Sequence, residues 1–213
     1  NSVTAAKDQT YALYNLTQDQ LAHTLMPVGA YTKDEIRQMA ERIGLPVARK
    51  KDSQEICFIP DKDYAGYIRG TGLGEIKEGN FVNAEGEILG KHKGIIHYTI
   101  GQRKGLNLSL GHPVFVQEIR PDTNEVVLGS NEDLFTHVVR AEKLNFMAVE
   151  DITKEVEAFG KIRYNHKGGA CRVKRIGEDL LECRFEEPVR AVTPGQALVL
   201  YQQDHVLGGG TIV

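Results

Sequence analysis

Residues 170–185 read ACRVKRIGEDLLECRF, two runs of alternating apolar and polar residues on either side of the turn-forming residues IGED. Alternation with a period of two places one set of side chains on each face of a β-strand, and a glycine-containing turn between two such runs is typical of a β-hairpin. If this hairpin is symmetric about Gly177, Cys171 and Cys183 lie opposite each other across its two strands. We expect both to be buried, reduced thiols.

Short β-runs of the same kind follow one another from about Arg140 to the C-terminus. They are separated by turn residues, and regularly spaced short strands predict a small closed or sandwich-like barrel. The predicted strands are 155–159, 161–164, 170–175, 180–185, 190–192, 197–201 and 205–209. We therefore predict a six- or seven-stranded β-barrel over residues 138–213.

The N-terminal quarter carries helical signals instead. Capping boxes begin at Thr17 and Thr32, and Pro27 and Gly44 end the two helices that follow them. A third short helix is predicted over residues 61–69, with Asp61 as its N-cap. The apolar side chains expected on the buried faces of the second and third helices are Ile36, Met39, Ala40, Ile43, Tyr64, Tyr67 and Ile68.

These patterns together predict a mixed, mainly β chain in three parts. Residues 1–60 form a helical tail that belongs to a larger domain. Residues 61–137 form a small, mostly β central module, in which 83–86 and 121–124 are expected to be hairpin turns. The β-barrel of residues 138–213 completes the chain.

Bulk composition excludes several classes of protein. The 213 residues carry a net charge of −3 and three cysteines, and no apolar run is long enough to span a membrane. So few cysteines argue against a secreted disulfide scaffold, and we recognise no secretory leader. We expect a cytoplasmic monomer with no membrane partner, and no metal site, because the Cys and His residues do not stand at ligand spacing.

Two segments are locally basic despite the negative net charge. RNA binding needs only such a local face, because affinity comes from the phosphates that the face meets. The first segment contains Lys91, His92, Lys93, His97, Arg103 and Lys104, and the second contains Lys161, Arg163, His166, Lys167, Arg172, Lys174 and Arg175.

Residues 51–60, KDSQEICFIP, place the thiol of Cys57 between two bulky apolar residues and directly behind a charged run. Cations upstream and the amides of a turn would favour the reactive thiolate. The spacing alone favours the opposite interpretation, a small buried hydrophobe.

Cys57 lies in the second of three sequence motifs. They are KDQxYxL from Lys7, KDSQxICFI from Lys51 and GxxxYTxGQRxGL from Gly94. In this order they resemble the tRNA-specific 2-thiouridylase family, which replaces the 2-oxygen of the wobble uridine with sulfur. The resemblance runs from about Lys7 to the C-terminus. It implies that residues 1–60 are the C-terminal part of an α/β, ATP-pyrophosphatase-like catalytic domain.

The roles of individual residues follow from that resemblance alone. Cys57 would carry a persulfide, whose terminal sulfur attacks the activated base. The tRNA contacts that the resemblance implies are Lys7, Asp8, Gln9, Arg163, Tyr164 and Gln196. Ser53, Gln54, Gln102 and Arg103 are expected to be supporting residues, and the glycine-flanked basic loop of residues 101–105 either approaches a backbone closely or shapes the active site around Cys57.

The same resemblance implies partners and a cofactor. The partners are tRNAs with anticodons of the Lys, Glu and Gln type and a persulfide donor, such as a cysteine desulfurase or a sulfur relay protein. The family's phosphate-binding loop is not found in this sequence. We therefore expect ATP, with Mg, to bind only the full-length protein and the fragment alone to be inactive.

Two other functions are compatible with the residues. A non-catalytic RNA-binding module would need only the barrel and its linker, with Cys57 inert and buried. A cysteine-dependent hydrolase would need a histidine beside Cys57, and the candidates are His23, His92 and His97, none of them in a recognisable motif. An exposed, thiolate-prone Cys57 distinguishes the sulfur-transfer enzyme from the binding module.

Overall fold

The computed structural model describes residues 8–50, 56, 58–59, 61, 63–72 and 76–213. The chain divides into two compact units, one formed by Asn1–Lys50 with Thr136–Val213 and the other by Lys51–Phe135. The described structure is mainly β with a few short helices, as predicted. The three-part division at residues 60 and 137 stays a prediction.

The elements are numbered in chain order. The helices are α1 (Thr10–Leu13), α2 (Gln18–Ala22), α3 (Lys33–Arg42) and α4 (Tyr64–Gly70). The strands are β1 (Gly79–Val82), β2 (Ile88–His92), β3 (Phe115–Arg120), β4 (Glu125–Gly129), β5 (Phe135–Phe146), β6 (Val156–Lys161), β7 (Gly169–Gly177), β8 (Leu180–Arg190), β9 (Ala197–Gln202) and β10 (His205–Ile212).

The first unit contains a closed barrel with the strand order β10-β5-β8-β7-β6-β9. Its interior is filled by alternate side chains of these strands, among them Val139, Val173, Leu181, Phe185 and Leu200. Closure pairs every strand on both sides and so removes the exposed edges of a sheet. The predicted barrel is confirmed, with six strands.

Two of the predicted barrel strands are wrong. Residues 190–192 do not form a separate strand, because β8 continues to Arg190 and the chain then turns at Ala191, whose φ is 57°. Residues 161–164 are mostly turn, with the amide of His166 donating to the carbonyl of Arg163 at 3.0 Å. The short apolar alternation in both segments was too brief to separate strand from turn.

The β7–β8 hairpin has a different register from the symmetric one. Cys171 pairs with Phe185 and Val173 pairs with Cys183, because the register shifts between Arg175 and Gly177. The two cysteines are therefore diagonal neighbours rather than directly opposite. Both are free and buried in the barrel core.

The N-terminal helices begin where the sequence predicts. The side chains of Thr17 and Thr32 each accept a hydrogen bond from a backbone amide three residues ahead, and each forms a complete capping box. Gly44 takes a φ of 73° just beyond α3. This left-handed conformation carries little steric cost for glycine, and it ends the helix.

The predicted burial of these helices is wrong. Helix α3 has no buried residue, and Ile43 is 73% exposed. In α4 the N-cap is Asp63 rather than Asp61, and Tyr64, Tyr67 and Ile68 are all exposed. Helical periodicity marks an apolar face, but it does not show whether another element covers that face.

The second unit contains a four-stranded sheet with the order β2-β1-β4-β3. Strands β1 and β2, and strands β3 and β4, are antiparallel pairs joined by the two predicted hairpin turns. Phe81, Tyr98, Leu106, Val116 and Val126 form its core. In the ranges that the structure describes, no helix is long and apolar enough to cross a membrane.

Candidate functional site

Tyr11 attaches helix α1 to the outer wall of the barrel. Its hydroxyl donates a 2.7 Å hydrogen bond to the carbonyl of Ala197, and its ring packs with Val199 and Tyr201. Two further bonds hold the chain that follows α1, because the side-chain amide of Asn145 donates to the carbonyls of Tyr14 and Leu16 at 2.7 and 3.0 Å. The N-terminal segment is therefore fixed to the barrel.

Gln9 and Tyr164, both predicted tRNA contacts, meet at this attachment. The Nε2 atom of Gln9 donates to the Tyr164 hydroxyl at 3.0 Å, across a separation of 155 residues. The Tyr164 ring meets the edge of Tyr11, with centroids 6.1 Å apart and an interplanar angle of 74°. Tyr164 nevertheless stays 42% exposed. An aromatic ring that is held on one side and open on the other suits stacking on an unpaired base.

Asp8 has a local structural role in this arrangement. Its Oδ1 atom accepts a hydrogen bond from the backbone amide of Thr10 at 2.8 Å, and this bond closes a turn at the start of α1. The hydroxyl of Thr10 in turn lies 3.4 Å from that of Tyr201. The carboxylate of Asp8 therefore orients the segment that carries Gln9.

Arg163 lies next to the same group of tyrosines. Its Nη1 atom donates to the carbonyl of Arg190 at 2.9 Å, immediately before the left-handed residue Ala191. In the part of the chain that the structure describes, its other guanidinium nitrogens have no acceptor. One end of the guanidinium thus supports the turn after β8, and the other end is available to an anion.

Gln196 lies on an exposed turn between β8 and β9. Its main chain is fixed, because its amide donates to the carbonyl of Thr193 at 3.1 Å and its carbonyl accepts from Ile212 at 2.8 Å. The next residue, Ala197, supplies the carbonyl that Tyr11 binds. Tyr11 therefore connects the segment of Gln9, the ring of Tyr164 and the turn of Gln196.

The phenols of Tyr11 and Tyr201 remain neutral over the physiological range. Burial, with additional effects of Tyr14 and Tyr201, raises the pKa of Tyr11 to about 12, although the Ala197 bond and Arg163 oppose it. Burial likewise raises the pKa of Tyr201. A neutral Tyr11 keeps its hydroxyl proton, and it therefore remains a donor to Ala197.

The next polar residue near this surface is His166. Its Nδ1 atom is buried and has no hydrogen-bond partner among the residues described. Burial lowers the pKa of His166, and Arg163 and Lys161 lower it further. The imidazole is therefore neutral at physiological pH and adds no charge to this face.

Several cations on β5, β7 and β8 form ion pairs with carboxylates. Glu182 is contacted by Arg140 at 3.1 Å, Arg184 at 3.5 Å and Lys174 at 3.8 Å. Arg175 forms a further ion pair with Asp151. The second basic segment of the sequence is thus less available to an external anion than its composition indicates.

Gln102 and Arg103 lie on a braced loop of the second unit, residues 99–105. The side chain of Gln102 accepts the amide of Thr99 at 3.0 Å and donates to the carbonyl of Lys104 at 2.9 Å. Both ends of this side-chain amide are occupied within the loop. Gln102 therefore shapes the loop, and Arg103 is exposed on it.

Four of the predicted site residues, Lys7, Ser53, Gln54 and Cys57, lie outside the described residues. Of the neighbours of Cys57, Ile56 and Phe58 are 43% and 63% exposed, whereas Ile59 is 5% exposed. Phe58 contacts the ring of Tyr67 with a centroid distance of 5.4 Å. The roles of these four residues stay predictions.

The histidines considered for a hydrolase differ in their availability. His92 is buried, and both its ring nitrogens are engaged, with the carbonyl of Asn124 at 3.1 Å and the amide of Gly94 at 3.0 Å. His23 is exposed beside Asp19. His97 is half-buried, and burial is the main cause that lowers its pKa. His92 is therefore a structural residue, and it supports the sharp turn at Gly94.

The described residues that could hold a metal ion or a phosphate group lack the arrangement that such a site needs. Within the described ranges, no three His, Cys, Asp or Glu side chains are grouped as metal ligands. The glycines 208–210 lie inside β10, where a Cβ on Gly209 would be 2.3 Å from the carbonyl of Leu198. They permit close strand packing, so they do not fit a phosphate-binding loop for ATP.

Comparison with known proteins identifies the family of this chain. Residues 1–61 match the tRNA methyl transferase HUP domain, residues 72–130 match the tRNA methyl transferase PRC-barrel domain, and residues 136–212 match the aminomethyltransferase beta-barrel domain. A tRNA-specific 2-thiouridylase of Lachnoclostridium phytofermentans is 62% identical over 212 residues, which is 100% of this chain and 59% of that protein. The chain belongs to the tRNA-specific 2-thiouridylase family.

Other members of the 2-thiouridylase family show the same extent of similarity. A relative from Clostridium botulinum strain Eklund 17B is 55% identical over 97% of this chain and 57% of its own length. One from Clostridioides difficile strain 630 is 51% identical over 99% of this chain and 58% of its own length. The chain therefore spans less than two thirds of these 2-thiouridylases.

Tyr11 is the residue whose role the sequence did not predict. It stands two residues after Gln9 in the first 2-thiouridylase motif, but nothing in the linear pattern connects it with Tyr164 or Ala197. Its place in the motif was the available signal, and the ring contact and the hydroxyl bond give that signal a physical meaning.

Proposed function

We propose that the full-length protein containing this chain transfers sulfur to the 2-position of the wobble uridine of tRNA. The observation that carries this proposal is the 62% identity, over the whole chain, to a protein named tRNA-specific 2-thiouridylase. At that level of identity over three successive domains, conservation of the reaction is the simplest expectation. Two of the matched domains carry methyltransferase names, but we find no glycine-rich loop for a methyl donor in this sequence.

Cys57 is proposed to carry the transferred sulfur as a persulfide. The terminal sulfur of a persulfide is a strong nucleophile, and it would attack C2 of the activated uridine as the activating group leaves. A second cysteine thiolate, outside these 213 residues, would then attack the Cys57 sulfur. A disulfide forms between the second cysteine and Cys57, and the outer sulfur of the persulfide stays on C2 of the base, so all atoms and electrons are accounted for.

The tRNA is proposed to contact the surface around Tyr11. Tyr164 offers a half-exposed ring for stacking, and Gln9 and Gln196 offer side-chain amides on the two segments that Tyr11 connects. Arg163 supplies a guanidinium with free donors for a phosphate. This grouping supports an RNA-binding role because stacking and phosphate contacts come from one fixed surface.

The remaining expectations concern the full-length protein. ATP with Mg would be used by the complete HUP domain, of which residues 1–61 are the matched part, and none of the described residues forms its phosphate loop. The exposed apolar side chains of the helical segment, including Leu25 and Ile43, would pack against the rest of that domain. Anticodons of the Lys, Glu and Gln type and a cysteine desulfurase or sulfur relay protein complete the proposal.

The test is peptide mass spectrometry of the full-length protein after incubation with a cysteine desulfurase and cysteine. We expect one added sulfur atom on the Cys57 peptide, and none in Cys57→Ser. Cys171→Ala is the matched control, because it removes a buried thiol and should leave the added sulfur in place. Digestion of the reacted tRNA to nucleosides should yield 2-thiouridine only when Cys57 is present.

The alternative function is a non-catalytic RNA-binding module. It predicts that neither the unmodified protein nor Cys57→Ser forms 2-thiouridine, while both bind tRNA. Equal formation of 2-thiouridine by the two proteins would remove Cys57 from the reaction. Unchanged tRNA binding with complete loss of product in Cys57→Ser would instead establish the sulfur-transfer role.

A further inference from the structure

The 99–105 loop of the second unit is rigid for reasons that the structure shows. Besides the Gln102 brace, the amide of Gly101 donates to the carbonyl of Val116 at 2.8 Å, and the amide of Val116 donates to the carbonyl of Gln102 at 2.9 Å. Val116 belongs to β3 and is fully buried. The loop is therefore tied to the core of the sheet, and the conformation of its tip is set before any ligand arrives.

The tip of the loop is positively charged and open. Arg103 and Lys104 are both exposed, and neither has an ion pair among the described residues. The flanking residues Gly101 and Gly105 have φ values of 84° and 78°, a conformation that favours glycine. Because glycine has no side chain, a ligand can approach the main chain closely on either side of the two cations.

The whole surrounding stretch lacks acidic residues. Residues 88–117 contain no Asp or Glu, although they contain Lys91, Lys93, Arg103 and Lys104. All four cations are exposed, and in the described part of the chain no carboxylate pairs with any of them. This contrasts with Arg140, Lys174 and Arg184 on the barrel, which share ion pairs with the carboxylate of Glu182.

A second positive group lies in the same unit. Burial lowers the pKa of His97 most, Lys93 and Arg69 lower it further, and Asp63 opposes them. Like charges placed together are unfavourable unless an anion or solvent compensates them. The unit thus presents cations on the loop and cations around His97, without equivalent acids in the 88–117 stretch.

We propose that the 99–105 loop, through Arg103 and Lys104, binds the phosphate backbone of the tRNA. This inference rests on the proposed function and names an additional surface, in the other unit from the one that carries Tyr164. Arg103 supplies a planar guanidinium and Lys104 a point charge, and both groups are common phosphate ligands. Gln102 is a positioning residue, since its side-chain oxygen and its side-chain nitrogen each make a hydrogen bond inside the loop.

An RNA backbone fits this loop better than an acidic protein surface. Among the residues described, the main-chain amides of Arg103, Lys104 and Gly105 have no acceptor, and phosphate oxygens are well suited to amides that lie between glycines. Protein interfaces, in contrast, usually depend on buried aromatic anchors, and residues 99–105 include no aromatic side chain.

The test is a salt titration of tRNA binding by the full-length protein, with an unmodified tRNA transcript as the probe. Arg103→Gln with Lys104→Gln should lower the slope of log affinity against log salt by about 1.5, because each lost phosphate contact contributes about 0.7–0.9. The dissociation constant should rise on the order of 10-fold near physiological salt. Both side chains are exposed, so thermal unfolding should be unchanged.

Arg120→Gln is the matched control for the single variant Arg103→Gln. It removes the same charge in the same unit, but Arg120 is already paired with Glu118 at 3.0 Å. We expect it to leave the salt slope as in the unmodified protein. Equal effects of Arg120→Gln and Arg103→Gln would show a general charge effect and would overturn the assignment of the loop.

The remaining outcomes separate this inference from the proposed function. If the unmodified protein binds and thiolates tRNA and the double variant keeps its affinity and slope, the loop does not bind RNA and only this inference fails. Only this inference fails, likewise, if the double variant keeps tRNA affinity but loses binding to a cysteine desulfurase. If the unmodified protein neither binds nor thiolates tRNA, the proposed function itself fails.

Discussion

Gln9 and Tyr164 are 155 residues apart in the chain, and the side-chain amide of Gln9 donates a 3.0 Å hydrogen bond to the Tyr164 hydroxyl. The first residue precedes helix α1 and the second lies between β6 and β7. Their contact joins the end of the helical segment to the barrel and leaves the open face of the Tyr164 ring exposed. The predicted tRNA contacts thus include a pair that only the folded chain brings together.

Tyr164 should contribute to tRNA binding mainly through its ring. Tyr164→Ala in the full-length protein should weaken tRNA binding about 10-fold, since stacking of one base on an aromatic ring is worth about 1–3 kcal/mol. Tyr164→Phe is the control, because it keeps the ring and removes only the acceptor for Gln9. Fluorescence anisotropy of a labelled tRNA measures both, and equal affinity of Tyr164→Ala and the unmodified protein would remove Tyr164 from the interface.

Tyr11 should make the stability of the first unit sensitive to alkaline pH. Its pKa is about 12 in the folded protein and 10.0 as the ordinary value, so the folded state holds this proton more tightly. The stabilisation is complete below pH 10 and is lost as the pH rises through about 12. Urea unfolding of the full-length protein at pH 9 and pH 11 should show this loss, with Tyr201 adding to it in the same direction.

Tyr11→Phe isolates the contribution of the hydroxyl. The variant should be less stable at pH 8 by about 1–2 kcal/mol, because the partly buried carbonyl of Ala197 loses its donor. It should also show a smaller fall in stability between pH 9 and pH 11. An unchanged alkaline dependence in this variant would mean that another group titrates.

Gly209 should tolerate no side chain. In Gly209→Ala the new Cβ would lie 2.3 Å from the carbonyl of Leu198 and 2.8 Å from the ring of Tyr14, so that β10 or α1 must move. We expect a loss of about 1–3 kcal/mol in the free energy of unfolding, measured by urea denaturation. Gly169→Ala is the control within the barrel, because its Cβ would meet Phe185 at an ordinary 3.4 Å.

Cys171 and Cys183 should be unreactive in the folded protein. Their side chains are buried, and the hydrogen bond to Cys171, followed by burial, raises the pKa of the Cys183 thiol well above its usual range. Iodoacetamide should therefore modify both only after unfolding, as seen by peptide mass spectrometry. Rapid labelling of either thiol under native conditions would show that the barrel opens locally.

Local sequence chemistry was enough to predict much of the fold. The capping boxes at Thr17 and Thr32, the helix end at Gly44 and the hairpin turns at 83–86 and 121–124 all depend on residues within a few positions of one another. Alternating apolar residues likewise indicated the barrel, because burial on one face of a strand requires that period. The order of the strands in the closed barrel, and the length of β8, required the contacts of distant segments.

The family resemblance named candidate site residues one by one, as predictions, but it did not give their grouping. It named Gln9, Tyr164 and Gln196, yet no linear pattern connected them. Tyr11 joins the three through a ring contact and a hydroxyl bond, and these depend on how α1 lies against the barrel. The register shift that makes Cys171 and Cys183 diagonal neighbours also depends on an irregularity near Gly177 that alternation does not encode.

The sequence by itself determined the local elements, the family and the identity of the residues proposed for chemistry, because caps, turns and motifs act over short stretches of chain. The tertiary structure alone decided which of these residues meet, which cations remain unpaired and which apolar faces stay exposed. The physical reason is that burial, ion pairing and long-range hydrogen bonds are properties of neighbours in space. Two residues illustrate this. The carboxylate of Glu182 is surrounded by cations from three strands, whereas the guanidinium of Arg103 is open to solvent.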